Sequence, residues 1–158
     1  MAYGKLKVNT ITYDNSGTDV DVSVSDLAGA GSTAGTGTTN TFTALQTLNA
    51  GLTVDGPYKQ TAEAVAALDI DLSTGNYFTK TINANSTFTF SNPPASGTAG
   101  SFTLELTHTS GTVTWPASVK FPLDTAPTLT TGKTHLFVFV TDDGGTRYRG
   151  AALADYVN

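Results

Sequence analysis

Apolar and polar residues alternate with a period of two over most of this chain, the spacing of a strand with one face buried. In VNTITYDNSGTDVDVSVSDL, residues 8–27, Ile11 and Tyr13 form one alternating run and Val20, Val22 and Val24 a second, with Asp14-Asn15-Ser16-Gly17 between them. Turn residues flanked by two such runs predict a β-hairpin. Asp14, Ser16, Asp19 and Asp21 also place oxygen ligands close together. The spacing and bidentate Glu of a calcium loop are absent, so the segment reads as a plain turn.

From residue 76 onward the pattern is strongly β. NYFTKTINA carries Phe78 and Ile82, STFTFS carries Phe88 and Phe90, and SFTLELTH sets Phe102, Leu104 and Leu106 against Thr103, Glu105 and Thr107. TVTWPASVKF and THLFVFVT follow, the second apolar at consecutive positions and so expected to be buried on both faces. Turn signals (SNPPASGTAG, TSGT, FPLDTAPTLTTGK, DDGG) separate these runs. Short strands at intervals of about ten residues predict an all-β domain of sandwich or jelly-roll type. The one candidate helical turn is TAEAVAALDIDL, residues 61–72, which reads equally well as a lead into a strand at Leu68–Leu72.

Between these regions the alternation stops. AGAGSTAGTGTTNTF, residues 28–42, has almost no core-forming or charged side chain, and TNTFTALQTLNAGLTVDG places Phe42, Leu45, Leu48, Leu52 and Val54 at no clean period. Three parts are therefore expected: a hairpin over 1–27, an extended arm and stem over 28–59, and a β domain over 60–158. The last can hold its own core, whereas the first 59 residues are too few and too rich in glycine to do so without partners. Extended, the 28–42 stretch reaches about 45 Å, enough for a tether or an arm laid along a neighbour.

Composition narrows the function. Only 13% of the 158 residues are charged, against about 25% in average globular proteins, and Thr, Ser, Gly and Asn take their place. A net charge of -5, with eight scattered Lys and Arg, argues against nucleic acid. No apolar run approaches the ~20 residues of a membrane span. Lys5 and Lys7 precede no apolar stretch of a signal peptide, so synthesis in cytoplasm is expected. With no cysteine, disulfides and thiolate metal sites are excluded.

Candidate chemistry is thin. No nucleophile elbow, phosphate loop or zinc-protease pair is present, and no enzyme activity or cofactor is expected. Asp69 and Asp71 lie two apart, on one strand face rather than across a substrate, and read as solvent-facing or as partners of Lys80. His108 and His135 fall on strands that pairing could bring together, and one His from each of three chains could form a metal site on an axis. The simpler reading is two hydrogen-bonded strand histidines. For a ligand or partner surface the candidates are Trp115, Arg147, Tyr148 and Arg149, with Tyr58 and Tyr77 as further aromatics. Trp115 alternates with Val113 and precedes Pro116, which favours packing, and Arg147 and Arg149 flank Tyr148 with the same facing beside DDGG, as an interface patch or an ordinary solvated edge.

Three stretches carry a family likeness. GKLKVNTITYDNSGTDVDVSVSDLA resembles N-terminal segments of virion structural proteins of tailed bacteriophages, cyanophages in particular. NTFTALQTLNAGLTVDG resembles the short repeats of phage fibre shafts, and FTKTINANSTFTFSNPPASGTAGSFTLELTHTSGTVTWPASVKFP is similar to a compact β domain near the ends of fibre and decoration proteins. The resemblance implies a homotrimer on the virion surface that contacts other capsid or tail proteins. On this reading Ile11, Tyr13, Val20, Val22 and Val24 anchor it to the particle, and Phe42, Leu45, Leu48, Leu52 and Val54 form the trimer stem. A single shaft-like repeat favours a capsid decoration (cement) protein or short head or tail fibre over a long fibre. The alternative is a receptor- or carbohydrate-binding tip module, whose partner is a host-surface glycan.

Overall fold

The computed structural model describes residues 10–23 and 51–157, and the chain falls into two units, Met1–Thr53 and Val54–Asn158. In the first, β1 (Thr10–Asn15) and β2 (Thr18–Ser23) pair antiparallel, with Ile11 opposite Val22 and Tyr13 opposite Val20. Ser16 (φ 56°) and Gly17 (φ 88°) form the turn. Positive φ at both central positions is the type I′ geometry, whose twist matches that of the flanking strands. The hairpin expected from Asp14-Asn15-Ser16-Gly17 is thus present, with Asp14 and Asn15 still within the strand. Val24, residues 28–40, and Phe42, Leu45 and Leu48 of the expected stem lie outside the described residues.

The second unit is all-β. Its strands are β3 (Glu63–Ala64), β4 (Asp69–Asp71), β5 (Tyr77–Asn83), β6 (Ser86–Thr87), β7 (Thr89–Ser91), β8 (Gly100–Ser110), β9 (Val113–Thr114), β10 (Val119–Lys120), β11 (Lys133–Thr141) and β12 (Tyr148–Tyr156), with a 3₁₀ turn at Pro122–Asp124. Six of them form one mixed sheet in the order β10-β12-β11-β8-β5-β3. Its centre is antiparallel, β12 to β11 and β11 to β8, and its flanks are parallel, β10 to β12, β8 to β5 and β5 to β3. Two short parallel ladders, β4 with β7 and β6 with β9, supply a second layer.

The alternation in β8 falls as the sequence predicts: Phe102, Leu104 and Leu106 are buried beneath the sheet. There they meet Phe78 and Ile82 of β5 and Phe137 and Phe139 of β11, and the small ladders close over them with Ile70, Phe88, Phe90 and Trp115. Aromatic rings fill much of this core. Phe102 and Phe139 stack with centroids 5.0 Å apart, Phe90 meets Phe102 edge-on at 5.1 Å, and Trp115 lies 4.7 Å from Phe137. Offset and edge-to-face contacts at these separations add to the area they bury.

One open reading is decided and one expectation is corrected. Of the two readings of residues 61–72, the strand forms, at Asp69–Asp71, and no helical turn is present. Val65 N–H donates to the Thr79 carbonyl at 3.0 Å, and Lys80 Nζ donates to the carbonyls of Val65 at 2.8 Å and Ala66 at 2.9 Å. Lateral bonds to β5 thus take the backbone groups a helix would use, and tertiary pairing overrides a weak propensity. The expectation corrected is that β11 is buried on both faces: its outer face stays open at Val138 and Val140. Phe137 and Phe139 are fully covered, but Val138 is 40% and Val140 39% exposed. Both ladders lie on the inner side, and among the described residues no third layer covers the outer one.

Candidate functional site

The residues singled out in the sequence separate once the fold is formed. Trp115 is half-buried and packs against the core: it stacks on Phe88 at 5.4 Å and also meets Phe121 and Phe139. Tyr148 is 2% exposed, with its ring 5.0 Å from Phe90, and so cannot join a ligand surface. Burial raises its phenol above the ordinary value, and the charge of Asp143 adds to the shift. Its hydroxyl is buried without a hydrogen-bond partner, the cost of bringing a Tyr rather than a Phe into this position.

Arg147 and Arg149 do share the outside, as their parity with Tyr148 requires. Both reach Asp142 Oδ1, at 3.6 and 3.5 Å, and Arg147 also lies 3.7 Å from Asp143 Oδ2. Two arginines against two aspartates leave this corner neutral. Asp143 also accepts from the Arg147 backbone N–H at 3.0 Å, the main reason its carboxyl is held below the ordinary value. The group pins the β11–β12 turn and offers no surplus positive charge to an anionic ligand. Exposed ion pairs of this kind are worth about 0–1 kcal/mol each.

The histidines come together without forming a metal site. His108 and His135, on adjacent strands, have ring centroids 6.3 Å apart, and both are buried. His108 Nε2 lies 2.8 Å from the Gly111 carbonyl and His135 Nε2 3.3 Å from that of Thr130, while the Asp155 N–H approaches His135 Nδ1 at 3.4 Å. Carbonyls can only accept, so each Nε2 carries the proton and donates. Buried this way, neither ring can meet its copies on an external axis. No group of three or more metal-ligating side chains exists among the described residues.

Asp69 and Asp71 are held by hydroxyls and amides rather than by Lys80, which is engaged by the Val65 and Ala66 carbonyls. Asp69 accepts from Thr89 Oγ at 2.7 Å and Ser91 Oγ at 2.6 Å. Asp71 Oδ1 accepts from Ser73 Oγ at 2.7 Å, Asn92 Nδ2 at 2.8 Å and Ser73 N–H at 2.9 Å. These bonds, the Ser73 hydroxyl foremost, hold the Asp71 carboxyl below its ordinary value of 3.8. A depressed folded-state value contributes stability that is present above the unfolded-state value and lost as pH falls through the folded one. A pH titration of Asp71 by NMR will therefore show a midpoint under 3.8, and Ser73→Ala will move it upward. An unshifted midpoint in the native chain would refute this account.

What the sequence did not reveal is the outer face of the main sheet. Leu136, Val138 and Val140 of β11 lie there in register with Leu153, Ala151 and Arg149 of β12, and Leu153 is 58% exposed. On the other side of β11 the face becomes polar: Ser101, Thr103 and Glu105 of β8 stand opposite Val140, Val138 and Leu136. Tyr77 Oη donates to Glu105 Oε2 at 2.6 Å, which occupies both groups and raises the Tyr77 phenol. No helix among the described residues is long and apolar enough to cross a membrane. Set against models of protein families, characterised proteins and solved structures, the chain finds no match.

Proposed function

We propose that the protein is a non-enzymatic structural component of a tailed-bacteriophage virion, made in the host cytoplasm and displayed on the particle as a homotrimer. It serves as a capsid decoration protein or a short head or tail fibre. The observation that carries this reading is the hairpin. β1 and β2 form a two-stranded sheet by themselves, and among the described residues no third strand joins either edge. An isolated two-stranded hairpin is marginal in water. The edges of such a hairpin suit extension of a sheet in a neighbouring virion protein, with Ile11, Tyr13, Val20 and Val22 as the anchoring residues. The exposure of Leu52 and Val54 is in keeping with stem residues that wait for their copies. The second unit, with its closed aromatic core, is the part displayed.

The test is a truncation. Removing residues 1–27 should leave a soluble protein with an intact C-terminal unit that no longer attaches to virions, whereas the full chain, labelled by antibody, decorates heads or tails. Unchanged attachment by the truncated chain would place the anchor elsewhere. A full chain that sediments as a monomer at micromolar concentration would overturn the trimer, and whole virions left unlabelled would overturn the placement.

A further inference from the structure

On the outer face of the main sheet, beside the start of β5, Tyr58 and Gln60 border a recess of about 430 Å³ whose other walls include Asn76, Ser101, Thr103 and Val138. That volume is in the range of small-molecule sites. Its chemistry is distinctive in two ways. First, none of the lining residues is charged at neutral pH, although Glu105, Arg149 and Asp142 lie nearby on the same sheet and turn. Second, its polar side chains are uncommitted: among the described residues no hydrogen bond engages the side chains of Gln60, Asn76, Ser101 or Thr103. Elsewhere on this domain several hydroxyl and carboxyl groups engage one another, as at Asp69, Asp71, Asp143 and the Tyr77–Glu105 pair.

We infer that this recess is a binding site for a neutral saccharide. Two amides and two hydroxyls each offer both a donor and an acceptor, which suits a ring of sugar hydroxyls that are themselves both. Tyr58 is 71% exposed and presents a ring on which the C–H face of a pyranose can lie, with Val138 as the apolar part of the floor. A phosphate, sulfate or carboxylate would find no cation to pair with and would meet a chain of net charge -5. The polar wall is held in place by the backbone: Thr103 N–H donates to the Asn76 carbonyl at 2.8 Å, fixing Asn76 against β8. The neighbouring Tyr77 takes no part, because its hydroxyl is already bound to Glu105.

The inference stands independently of the virion reading and is tested on the full chain alone. Labelled protein is applied to an array of neutral and anionic glycans, and the best neutral glycan is then titrated against the native chain and variants. Binding to neutral glycans is expected, weakened about tenfold by Tyr58→Ala or by Asn76→Ala, the loss of one stacked ring or one amide. Lys120→Ala, outside the recess, should leave affinity unchanged. Both recess variants should keep the native melting temperature, since Tyr58 is exposed and the Asn76 side chain holds no other residue. Binding to anionic glycans only, binding to none, or variants that keep affinity within about twofold would each overturn the assignment.

Discussion

Replacing Phe139 by alanine will lower the stability of the C-terminal unit by about 3–5 kcal/mol, the range for a buried aromatic cut back to a methyl group. Phe139 is fully buried and sits at the meeting point of the layers. It stacks on Phe102 at 5.0 Å and Phe137 at 6.0 Å, meets Phe90 at 5.2 Å, and touches Trp115 at 5.4 Å. The rings above and below come from β8, β7 and the loop after β9, and are themselves locked by further rings, so the cavity cannot collapse. Gly150 opposite is already crowded, since a Cβ there would stand 2.9 Å from the Phe139 ring. A domain of this size has about 5–15 kcal/mol in total, and each kcal/mol moves the thermal midpoint by roughly 4–8 °C. Urea unfolding of the two chains gives the difference directly. A loss under about 1 kcal/mol would mean that the aromatic cluster is not the centre of the core.

The second large effect is expected at a glycine. Gly111, in the turn after β8, has φ +91°, and a Cβ there would run into the backbone of Ala84 and come within 2.6 Å of Asn85 N. Neither obstacle can swing aside, because the Ser86 N–H donates to the Thr112 carbonyl at 2.8 Å and Asn85 Oδ1 accepts from the Thr112 N–H at 3.0 Å. The Gly111 carbonyl is also the acceptor for buried His108. Moving the turn outward would break all three links and leave a second nitrogen of His108 unpaired beside Nδ1, which already has no partner. Gly111→Ala should therefore cost more than about 3 kcal/mol, combining left-handed strain with a buried unsatisfied donor. Gly132→Ala is the control: its φ of +78° imposes the same strain, but nothing lies within 4 Å of the new Cβ, and about 1–2 kcal/mol is expected. Equal losses at the two glycines would show that backbone conformation alone, and not the close approach to Ala84, makes Gly111 necessary.

Much of the all-β character can be read from period two and from turn chemistry, because both are local. Phe102, Leu104 and Leu106 had to share a face whatever that face met, and Ser16-Gly17 had to turn where two alternating runs faced each other. The opposite facings of Tyr148 and its two arginines follow from the same parity. The alternation of Trp115 with Val113, ahead of Pro116, pointed to packing, and the half-buried ring packs against the core.

Tertiary structure decided the rest, because parity says which residues share a face but not what covers it. Consecutive apolar residues in β11 imply burial on both sides, yet both second-layer ladders are drawn to the inner face and Val138 and Val140 stay partly exposed. Residues 61–72 have helix-compatible composition, but the carbonyls of Val65 and Ala66 are claimed by Lys80, fourteen or more positions away, and no local pattern records that. The same holds for Asp69 and Asp71, whose partners Thr89, Ser91 and Asn92 arrive on another strand. It holds as well for the recess, where Tyr58, Asn76, Ser101 and Val138 meet only because β5, β8 and β11 lie side by side. By itself the sequence determined strand, turn and facing, each a matter of neighbouring residues and backbone sterics. Pairing partners, the covered face and the candidate binding site depended on long-range contacts whose free energy is shared across the whole sheet.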